Sequence, residues 1–344
     1  MINRIKELYN YFLKSYSYFH REEVCRGFPD IYNIEPTNYC PLECKMCPRG
    51  NMTRKIGNMS IDIFQKIIDQ TSGYSKMIWL FHFGDSVFHP QLNQFVDYAK
   101  SKDIKTGIST NPTSLSDKIV TRIMSGDIDR ITLSLDGIND NTYKYLRGNS
   151  VDYNLAEKNV SNLLKKKKIK GNGRPFIEIS MIEMKNTEAE VKEFKNRWNI
   201  PGIDKIIIKQ FKTWDGSDAT IAKMARKSQL SDSYRSENSY PCMRPWFLLT
   251  ILWNGKVVPC CYDYDGKYII GDVHSQSLEE IWNCDRMIEL RRQHIMNNFE
   301  DNPLCKNCKE KKGGPAGKYY PFDLSVLRKI GIRNIIGSIR RETR

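Results

Sequence analysis

Short apolar segments alternate with amphipathic stretches between residues 31 and 211. The apolar segments predict strands, and the stretches between them, which repeat apolar residues every three to four positions, predict helices. Strands are predicted at residues 31–35, 76–83, 105–109, 130–135, 176–182 and 205–209. Helices are predicted at residues 61–70, 92–100, 115–124, 152–167 and 188–199. This order indicates an α/β fold built as a partial (β/α)6 barrel, because a complete barrel needs eight parallel strands.

The segments on either side of this core have different patterns. Residues 1–30 form an N-terminal helical extension, with an aromatic-rich helix predicted over residues 1–24, and residues 31–211 form the core. Residues 212–241 are polar and predict a linker or an active-site loop. Residues 242–312 predict a small second domain with a two-residue hairpin turn at Asn254-Gly255 and a helix at 278–294. Residues 313–344 predict a basic amphipathic tail.

Composition narrows the class of protein. The 344 residues include ten cysteines that fall in clusters, which suits metal binding better than a disulfide scaffold. The chain has no apolar run of about 18 residues and no secretory signal, so we expect a cytoplasmic protein. The net charge of +14 suggests an acidic partner. The lysines at 165–168 fit a helix end, however, so no nucleic acid is expected. For the tail, contact with the inner face of the membrane and docking on the core both stay open.

Three cysteines directly follow the first predicted strand. Cys40, Cys44 and Cys47 have the spacing CxxxCxxC. Three thiolates can bind three irons of a [4Fe-4S] cluster and leave the fourth iron free for an amine and a carboxylate. A structural zinc ion prefers four ligands, and no Cys or His lies within ten residues after Cys47. The loop therefore indicates a cluster with one open iron.

This loop resembles that of the radical S-adenosylmethionine (SAM) superfamily. The resemblance implies that the cluster reduces SAM to a 5′-deoxyadenosyl radical, which abstracts a hydrogen atom from the substrate. It also implies that residues at the ends of the following strands contact SAM. Asp85 and Ser86 stand here where the family has Glu and Pro. The SAM contacts implied by the resemblance are Gly84, Asp85, Asn111, Ser134, Asp136 and Arg147.

Four further cysteines mark the second domain. Cys242, Cys260, Cys305 and Cys308 form a closed four-thiol set, and their spacing fits zinc as well as an iron–sulfur cluster. The module resembles the SPASM/twitch extension of radical SAM enzymes, which implies an auxiliary [4Fe-4S] cluster. Because residues 309–344 contain no cysteine, we predict a single one. Cys261 competes with Cys260 as a ligand, but the alternation of side chains along a strand favours Cys260.

The layout of the cysteines also resembles that of the 2-deoxy-scyllo-inosamine dehydrogenase group. That resemblance implies oxidation of a sugar, cyclitol or glycan alcohol to a ketone, with the auxiliary cluster as electron acceptor and a flavodoxin- or ferredoxin-type electron donor. The candidates for catalysis or substrate contact are Lys209, Gln210, Arg244, Trp246 and Cys261. The alternatives are a sugar epimerase and a peptide-epimerising or cross-linking enzyme. An epimerase needs a hydrogen donor, for which Cys261, Cys25 and Cys284 qualify, although Cys25 and Cys284 also suit packed thiols.

Overall fold

The strands of this chain form one nine-stranded sheet in the computed structural model, which describes residues 2–226 and 240–311. The first six strands are all parallel, and each is bonded to the strand next to it in sequence. The parallel core predicted from the apolar pattern is therefore confirmed. The strands are β1 Asp30–Ile34, β2 Met77–Leu80, β3 Lys105–Thr110, β4 Arg130–Ser134, β5 Phe176–Glu183, β6 Lys205–Gln210, β7 Leu248–Ile251, β8 Lys256–Val258 and β9 Gly271–Asp272.

Helices connect the parallel strands, and their ends follow local sequence signals. Ser60 and Ser116 each accept a hydrogen bond from a backbone N–H in the first turn of the helix that follows, and Gly171 ends another helix in the left-handed conformation. The helices are α1 Ile2–Phe19, α2 Ile61–Thr71, α3 Leu92–Ser101, α4 Asp117–Ser125, α5 Asp140–Arg147, α6 Tyr153–Lys170, α7 Val191–Trp198, α8 Ala219–Ala222, α9 Arg244–Phe247, α10 Leu278–Trp282 and α11 Asp285–Met296. Within the described ranges, none is long and apolar enough to cross a bilayer.

The structure corrects four details of the predicted elements. Helix α5 was not predicted, because only Tyr143 and Leu146 of its eight residues are buried and its apolar pattern is weak. The segment predicted as one helix at 188–199 starts with a 3-10 turn, and the predicted helix at 278–294 is interrupted between α10 and α11. The hairpin turn is also longer than the predicted two residues: it spans residues 252–255, with Gly255 at a φ of 79°.

The second domain continues the sheet of the core. Strand β7 pairs in parallel with β1, with Asp30 opposite Leu248 and Ile34 opposite Ile251, and then forms an antiparallel hairpin with β8. The hairpin turn between β7 and β8 thereby lies at the same end of the sheet as the residues that follow β1. This pairing joins residues more than 200 positions apart, so no local pattern announces it.

The N-terminal extension packs against this second domain. The Tyr18 hydroxyl donates to the carbonyl of Pro241 at 2.8 Å, and Trp246 Nε1 donates to the carbonyl of Glu22 at 2.7 Å. Trp282 Nε1 donates to the carbonyl of Gly27 at 2.7 Å. The three side chains that make these bonds are buried, so the extension shares a hydrophobic core with the domain that it covers.

Candidate functional site

The first cysteine loop lies at the carboxyl end of β1 and is held by contacts from distant segments. The backbone N–H of Lys45 donates to the carbonyl of Leu146 in α5 at 2.9 Å. Trp214, from the polar segment after β6, donates through Nε1 to the carbonyl of Met46 at 2.8 Å. Part of that segment is thus a folded wall of the site, and residues 227–239 of the predicted linker lie outside the described ranges.

The three thiols of this loop are set up to bind a cationic group. Burial raises the pKa of Cys40 to about 11 and that of Cys47 to about 12, and the Cys44 sulfur adds to both shifts. Buried thiolates need a positive partner, which the irons of a cluster supply. The donor set therefore fits a [4Fe-4S] cluster with three protein ligands.

Gly84 and Asp85 attach the end of β2 to the cysteine loop. A Cβ at position 84 would overlap the carbonyl oxygen of Thr37, so only glycine allows this approach. The backbone N–H of Asp85 donates to the carbonyl of Tyr39 at 2.8 Å. The Asp85 carboxylate accepts from Thr110 Oγ1 at 2.9 Å, and burial raises its pKa to about 6. Both residues lie next to the cluster loop, and their contact with SAM stays a prediction.

Asn111 and Ser134 lie at the ends of β3 and β4 and contact one another. Asn111 Nδ2 donates to the carbonyl of Ser134 at 3.1 Å, and Asn111 Oδ1 accepts from the backbone N–H of Thr113 at 2.8 Å. The Ser134 hydroxyl lies 3.3 Å from the Ser109 hydroxyl. Asn111 thus caps the turn after β3, and the half-buried Ser134 hydroxyl bonds weakly enough to exchange this partner for a ligand.

Asp136 and Arg147 form a buried ion pair beside the first cluster loop. Arg147 also donates through NH1 to the Cys44 sulfur at 3.4 Å, and Asp136 accepts from the backbone N–H of Ile182 at 2.6 Å. Burial works against the guanidinium charge, but Asp136 and Cys44 raise the pKa of Arg147 above its usual value. Arg147 Nε has no hydrogen-bond partner among the described residues. Two of the predicted SAM contacts therefore bind each other and keep one donor available.

Lys209 is placed inside the partial barrel by the register of its strand. Ser134 lies opposite Ser180 on β5, and two residues further along β5 Ile182 lies opposite Lys209 on β6. Side chains two residues apart lie on the same face, so Lys209 shares the inner face with both serines. Burial lowers the pKa of Lys209, while the nearby Asp136 opposes this shift. The next residue, Gln210, is exposed at the end of the strand.

The second set of cysteines lines a single cavity. Cys242, Cys260, Cys305 and Cys308 surround a space of about 350 Å³, including its open mouth. Burial and the neighbouring thiols raise the pKa of Cys305 well above its usual value, and burial raises that of Cys308 to about 11. In the ranges that the structure describes, no three His, Cys, Asp or Glu side chains converge tightly enough to hold a single metal ion. The four thiols are a complete ligand set, which both a [4Fe-4S] cluster and a structural zinc ion require.

Backbone N–H groups point at two of these sulfurs. Tyr262 N donates to the Cys260 sulfur at 3.3 Å, and Glu310 N donates to the Cys308 sulfur at 3.4 Å. Hydrogen bonds to ligating sulfurs stabilise their negative charge and tune the potential of a cluster. His294, which sequence reasoning missed, lies with Nε2 3.5 Å from the Cys305 sulfur. Burial lowers its pKa to about 3, so it faces the cavity as a neutral ring.

Arg244 and Cys261 border the same cavity in different ways. Arg244 lines it and lies 4.1 Å from the ring centre of Tyr262. Cys261 does not line it, and a hydrogen bond between the Cys260 and Cys261 side chains raises the pKa of Cys260 and lowers that of Cys261. Both cysteines follow the last residue of β8, Val258, so strand alternation was the wrong reason to prefer Cys260.

The predicted substrate contact at Trp246 is wrong. Its side chain is fully buried and packs edge-on against Tyr18 of α1. Because Trp246 is close to the cluster ligand Cys242 in the sequence, it was expected to line the substrate pocket. Helix α9 instead turns its ring toward the N-terminal extension. Cys25 is buried with its sulfur 3.6 Å from the carbonyl of Trp246, and Cys284 donates to the carbonyl of Ile270 at 3.2 Å, so both are packed thiols.

A buried charge network connects the two cysteine sites, and sequence reasoning assigned no role to its central pair. Both Glu35 oxygens accept from the Arg54 guanidinium at 2.8 Å, and Arg54 Nε donates to the carbonyl of Tyr264 at 2.9 Å. His82 lies with Nδ1 3.3 Å from Glu35, without hydrogen-bond alignment, and its Nε2 is 3.0 Å from the carbonyl of Cys261. Burial alone would raise the pKa of Glu35, but Arg54 and His82 lower it to about 2.

Two family models match the chain over the regions that hold these sites. The radical SAM superfamily model matches residues 34–197, and the model of an iron–sulfur cluster-binding domain, SPASM, matches residues 242–309. The first model implies SAM and a [4Fe-4S] cluster, and the second implies auxiliary iron–sulfur clusters. The donor sets at both cysteine sites fit these groups.

Similar proteins span most of the chain or smaller parts of it. The tungsten-containing aldehyde ferredoxin oxidoreductase cofactor-modifying protein of Pyrococcus furiosus is 25% identical over 80% of this chain and 86% of its own. The S-adenosyl-L-methionine-dependent 2-deoxy-scyllo-inosamine dehydrogenase of Niallia circulans is 30% identical, but over 21% of this chain and 29% of its own. The crystal structure of Streptococcus suis SuiB bound to S-adenosylmethionine has a TM-score of 0.61 and 16% identity, and the match covers 79% of this chain and 70% of SuiB. The chain carries a radical SAM domain over residues 34–197 and a SPASM iron–sulfur cluster-binding domain over residues 242–309.

Proposed function

We propose that this radical SAM enzyme oxidises an alcohol of a sugar, cyclitol or glycan to a ketone. The observation that carries the proposal is the cavity with four cysteines, which provides a ligand for every iron of one auxiliary [4Fe-4S] cluster. When bound, SAM and the first cluster supply a radical that abstracts a hydrogen atom from the carbinol carbon, and the auxiliary cluster supplies an acceptor for the electron released as the ketone forms.

The residues around each site have distinct tasks in this proposal. Cys40, Cys44 and Cys47 hold the first cluster, and Gly84, Asp85, Asn111, Ser134, Asp136 and Arg147 surround SAM. Cys242, Cys260, Cys305 and Cys308 hold a single auxiliary cluster, while Arg244 balances the charge of their thiolates. The donor of electrons to the first cluster is a flavodoxin- or ferredoxin-type protein.

Lys209 is the candidate base for the substrate hydroxyl. It lies on the inner face of the barrel, and no described residue forms a hydrogen bond or ion pair with its ammonium group. The charged groups around it are Asp136, Arg147 and Glu178. Because burial lowers its pKa, a larger fraction of Lys209 is the neutral amine near pH 8 than for an exposed lysine. The hydroxyl proton then moves to the Lys209 amine as the ketone forms.

The relatives support this proposal in part. The partial match to a 2-deoxy-scyllo-inosamine dehydrogenase favours a cyclitol or sugar alcohol, and the longer match to a cofactor-modifying protein favours a small molecule in general. A redox-neutral epimerisation would instead need a hydrogen donor. Cys25 and Cys284 are packed thiols, so Cys261 is the candidate donor for that alternative.

The test is an anaerobic assay of the cluster-reconstituted enzyme with a panel of cyclitols, sugars and sugar nucleotides. We expect a ketone product with one 5′-deoxyadenosine formed per ketone, and slower ketone formation in Lys209→Met with unchanged iron content. A product isomeric with the substrate, or a modified peptide with no reaction on any alcohol, would refute the proposal.

A further inference from the structure

Helix α1 buries three polar side chains on its inner face and exposes three apolar side chains on its outer face. Asn10, Lys14 and Ser17 on its inner face are almost fully buried. On the outer face, Ile5, Tyr9 and Phe12 follow the helical spacing i, i+4 and i+7, yet they are 63%, 57% and 57% exposed. An ordinary surface helix shows the opposite arrangement.

Specific polar contacts fix this orientation. Asn10 donates to the carbonyl of Phe28 at 2.9 Å and accepts from its N–H at 2.6 Å. Lys14 forms an ion pair with Asp30 at 2.7 Å, at the start of β1. Rotating the helix to hide its apolar face would break these bonds and leave the N–H and the carbonyl of Phe28 without their partner. The exposed stripe is thus a stable feature of the folded chain.

The apolar area of the stripe distinguishes between two possible partners, a second copy of this chain and a lipid surface. Three side chains, each somewhat more than half exposed, offer roughly 300 Å² of apolar surface. Two copies of this chain joined through the stripe would bury roughly 600 Å² in total, about half of what a stable protein interface buries. A lipid surface has no such minimum area, and tyrosine and phenylalanine are typical of residues that enter the boundary between headgroups and acyl chains.

Charge around the stripe selects the kind of lipid. Each carboxylate among residues 1–29 is paired within the protein: Glu7 with Lys76, Glu22 with Arg26 and Glu23 with Arg292. Lys6 and Arg21 are exposed near the two ends of α1, and the whole chain carries a net charge of +14. Such a surface is attracted to anionic headgroups and is not repelled by local acidic groups.

We propose that the stripe formed by Ile5, Tyr9 and Phe12 is a docking surface for an anionic phospholipid membrane, on which α1 lies parallel to the bilayer plane. The enzyme would then work on the membrane surface, where its substrate or a redox partner is concentrated. The inference rests on α1 alone and does not depend on the reaction that the barrel carries out.

The experiment measures co-sedimentation with vesicles. It compares the wild-type chain of 344 residues with the triple variant Ile5→Gln, Tyr9→Gln and Phe12→Gln. A matched control removes two exposed apolar side chains elsewhere, Ile169→Gln and Met296→Gln, which are 84% and 71% exposed. Vesicles contain phosphatidylserine and phosphatidylcholine, or phosphatidylcholine alone. Iron content and circular dichroism show that each variant is folded.

We expect the wild type and the control pair to bind the anionic vesicles, with weaker binding to neutral vesicles and at high salt. The triple variant should bind at least about tenfold more weakly, because it replaces three apolar side chains that enter the membrane with polar ones. Unchanged binding of the triple variant would overturn the proposal and point to the basic segment 313–344, which lies outside the described ranges. A wild type that binds no vesicle would overturn the proposal. A wild-type dimer that the triple substitution dissociates would also overturn it, in favour of a second copy of this chain.

Discussion

Removing Arg54 should destabilise the protein strongly, because it leaves the buried carboxylate of Glu35 without its main partner. Glu35 is fully buried, and the Arg54 side chain is 10% exposed. Breaking a buried ion pair by removing one partner costs about 3–5 kcal/mol. Linkage gives a consistent figure: the pKa of Glu35 falls from 4.5 to about 2, which corresponds to about 3 kcal/mol of stabilisation at neutral pH.

The sign of the pH dependence separates this charge effect from a loss of packing. In the wild type, the stabilisation from Glu35 is present above its unfolded-state pKa and is lost as the pH falls toward about 2. In Arg54→Ala, burial is no longer balanced by the guanidinium, so the pKa of Glu35 moves upward. The variant should therefore lose more stability, relative to the wild type, at pH 8 than at pH 5.

The assay is urea unfolding at pH 5, 6.5 and 8, with samples matched in iron content. The double variant Arg54→Ala with Glu35→Gln is the matched control, because it makes the same cavity and loses the same bond to Tyr264 but has no buried charge. We expect the double variant to be more stable than Arg54→Ala by about 2 kcal/mol or more at pH 8, with little pH dependence. If both variants lost the same free energy of unfolding at every pH, the unpaired charge of Glu35 would not be the cause of the loss.

Three further predictions follow from individual contacts. Gly84→Ala should lower the amount of the first cluster that reconstitutes, measured as iron bound per chain, because its Cβ collides with the backbone at Thr37; normal iron content would show that the loop shifts easily. Trp246→Ala should lower the free energy of unfolding by about 3–5 kcal/mol in denaturant unfolding, because the ring is fully buried. A variant of unchanged stability with a raised KM would instead support a contact between Trp246 and the substrate. The rate of the alcohol oxidation should rise with pH through an apparent pKa below that of an ordinary lysine and lose this limb in Lys209→Met; an unchanged profile in the variant would exclude Lys209 as the base.

The parallel core was predictable because each of its strands is a local apolar run that ends near a polar or turn residue. Its boundaries moved by at most three residues, and β2 is the clearest case: the predicted strand continued to residue 83, but the chain leaves the sheet after Leu80 to reach the cysteine loop. The cysteines of both sites were also readable from sequence, since their chemistry depends on spacing within short loops.

Contacts between distant segments were not predictable. Glu35 and Arg54 meet only because β1 and the loop after Asn51 fold against each other, and neither residue lies in a pattern that signals a pair. The pairing of β7 with β1 brings the second domain to the edge of the core sheet without any local signal. The error at Trp246 has the same origin, because sequence places the residue near Cys242 but does not say which way its ring points.

The central claim is that this chain holds two separate iron–sulfur clusters, one at each cysteine site. The most direct measurement is Mössbauer spectroscopy and metal analysis of anaerobically purified wild type and of the variant Cys40→Ala, Cys44→Ala and Cys47→Ala. We expect about eight irons per chain in the wild type and about four in the variant, with the signature of a [4Fe-4S] cluster in both. A variant that contains zinc and no iron, or a wild type with only about four irons, would contradict it.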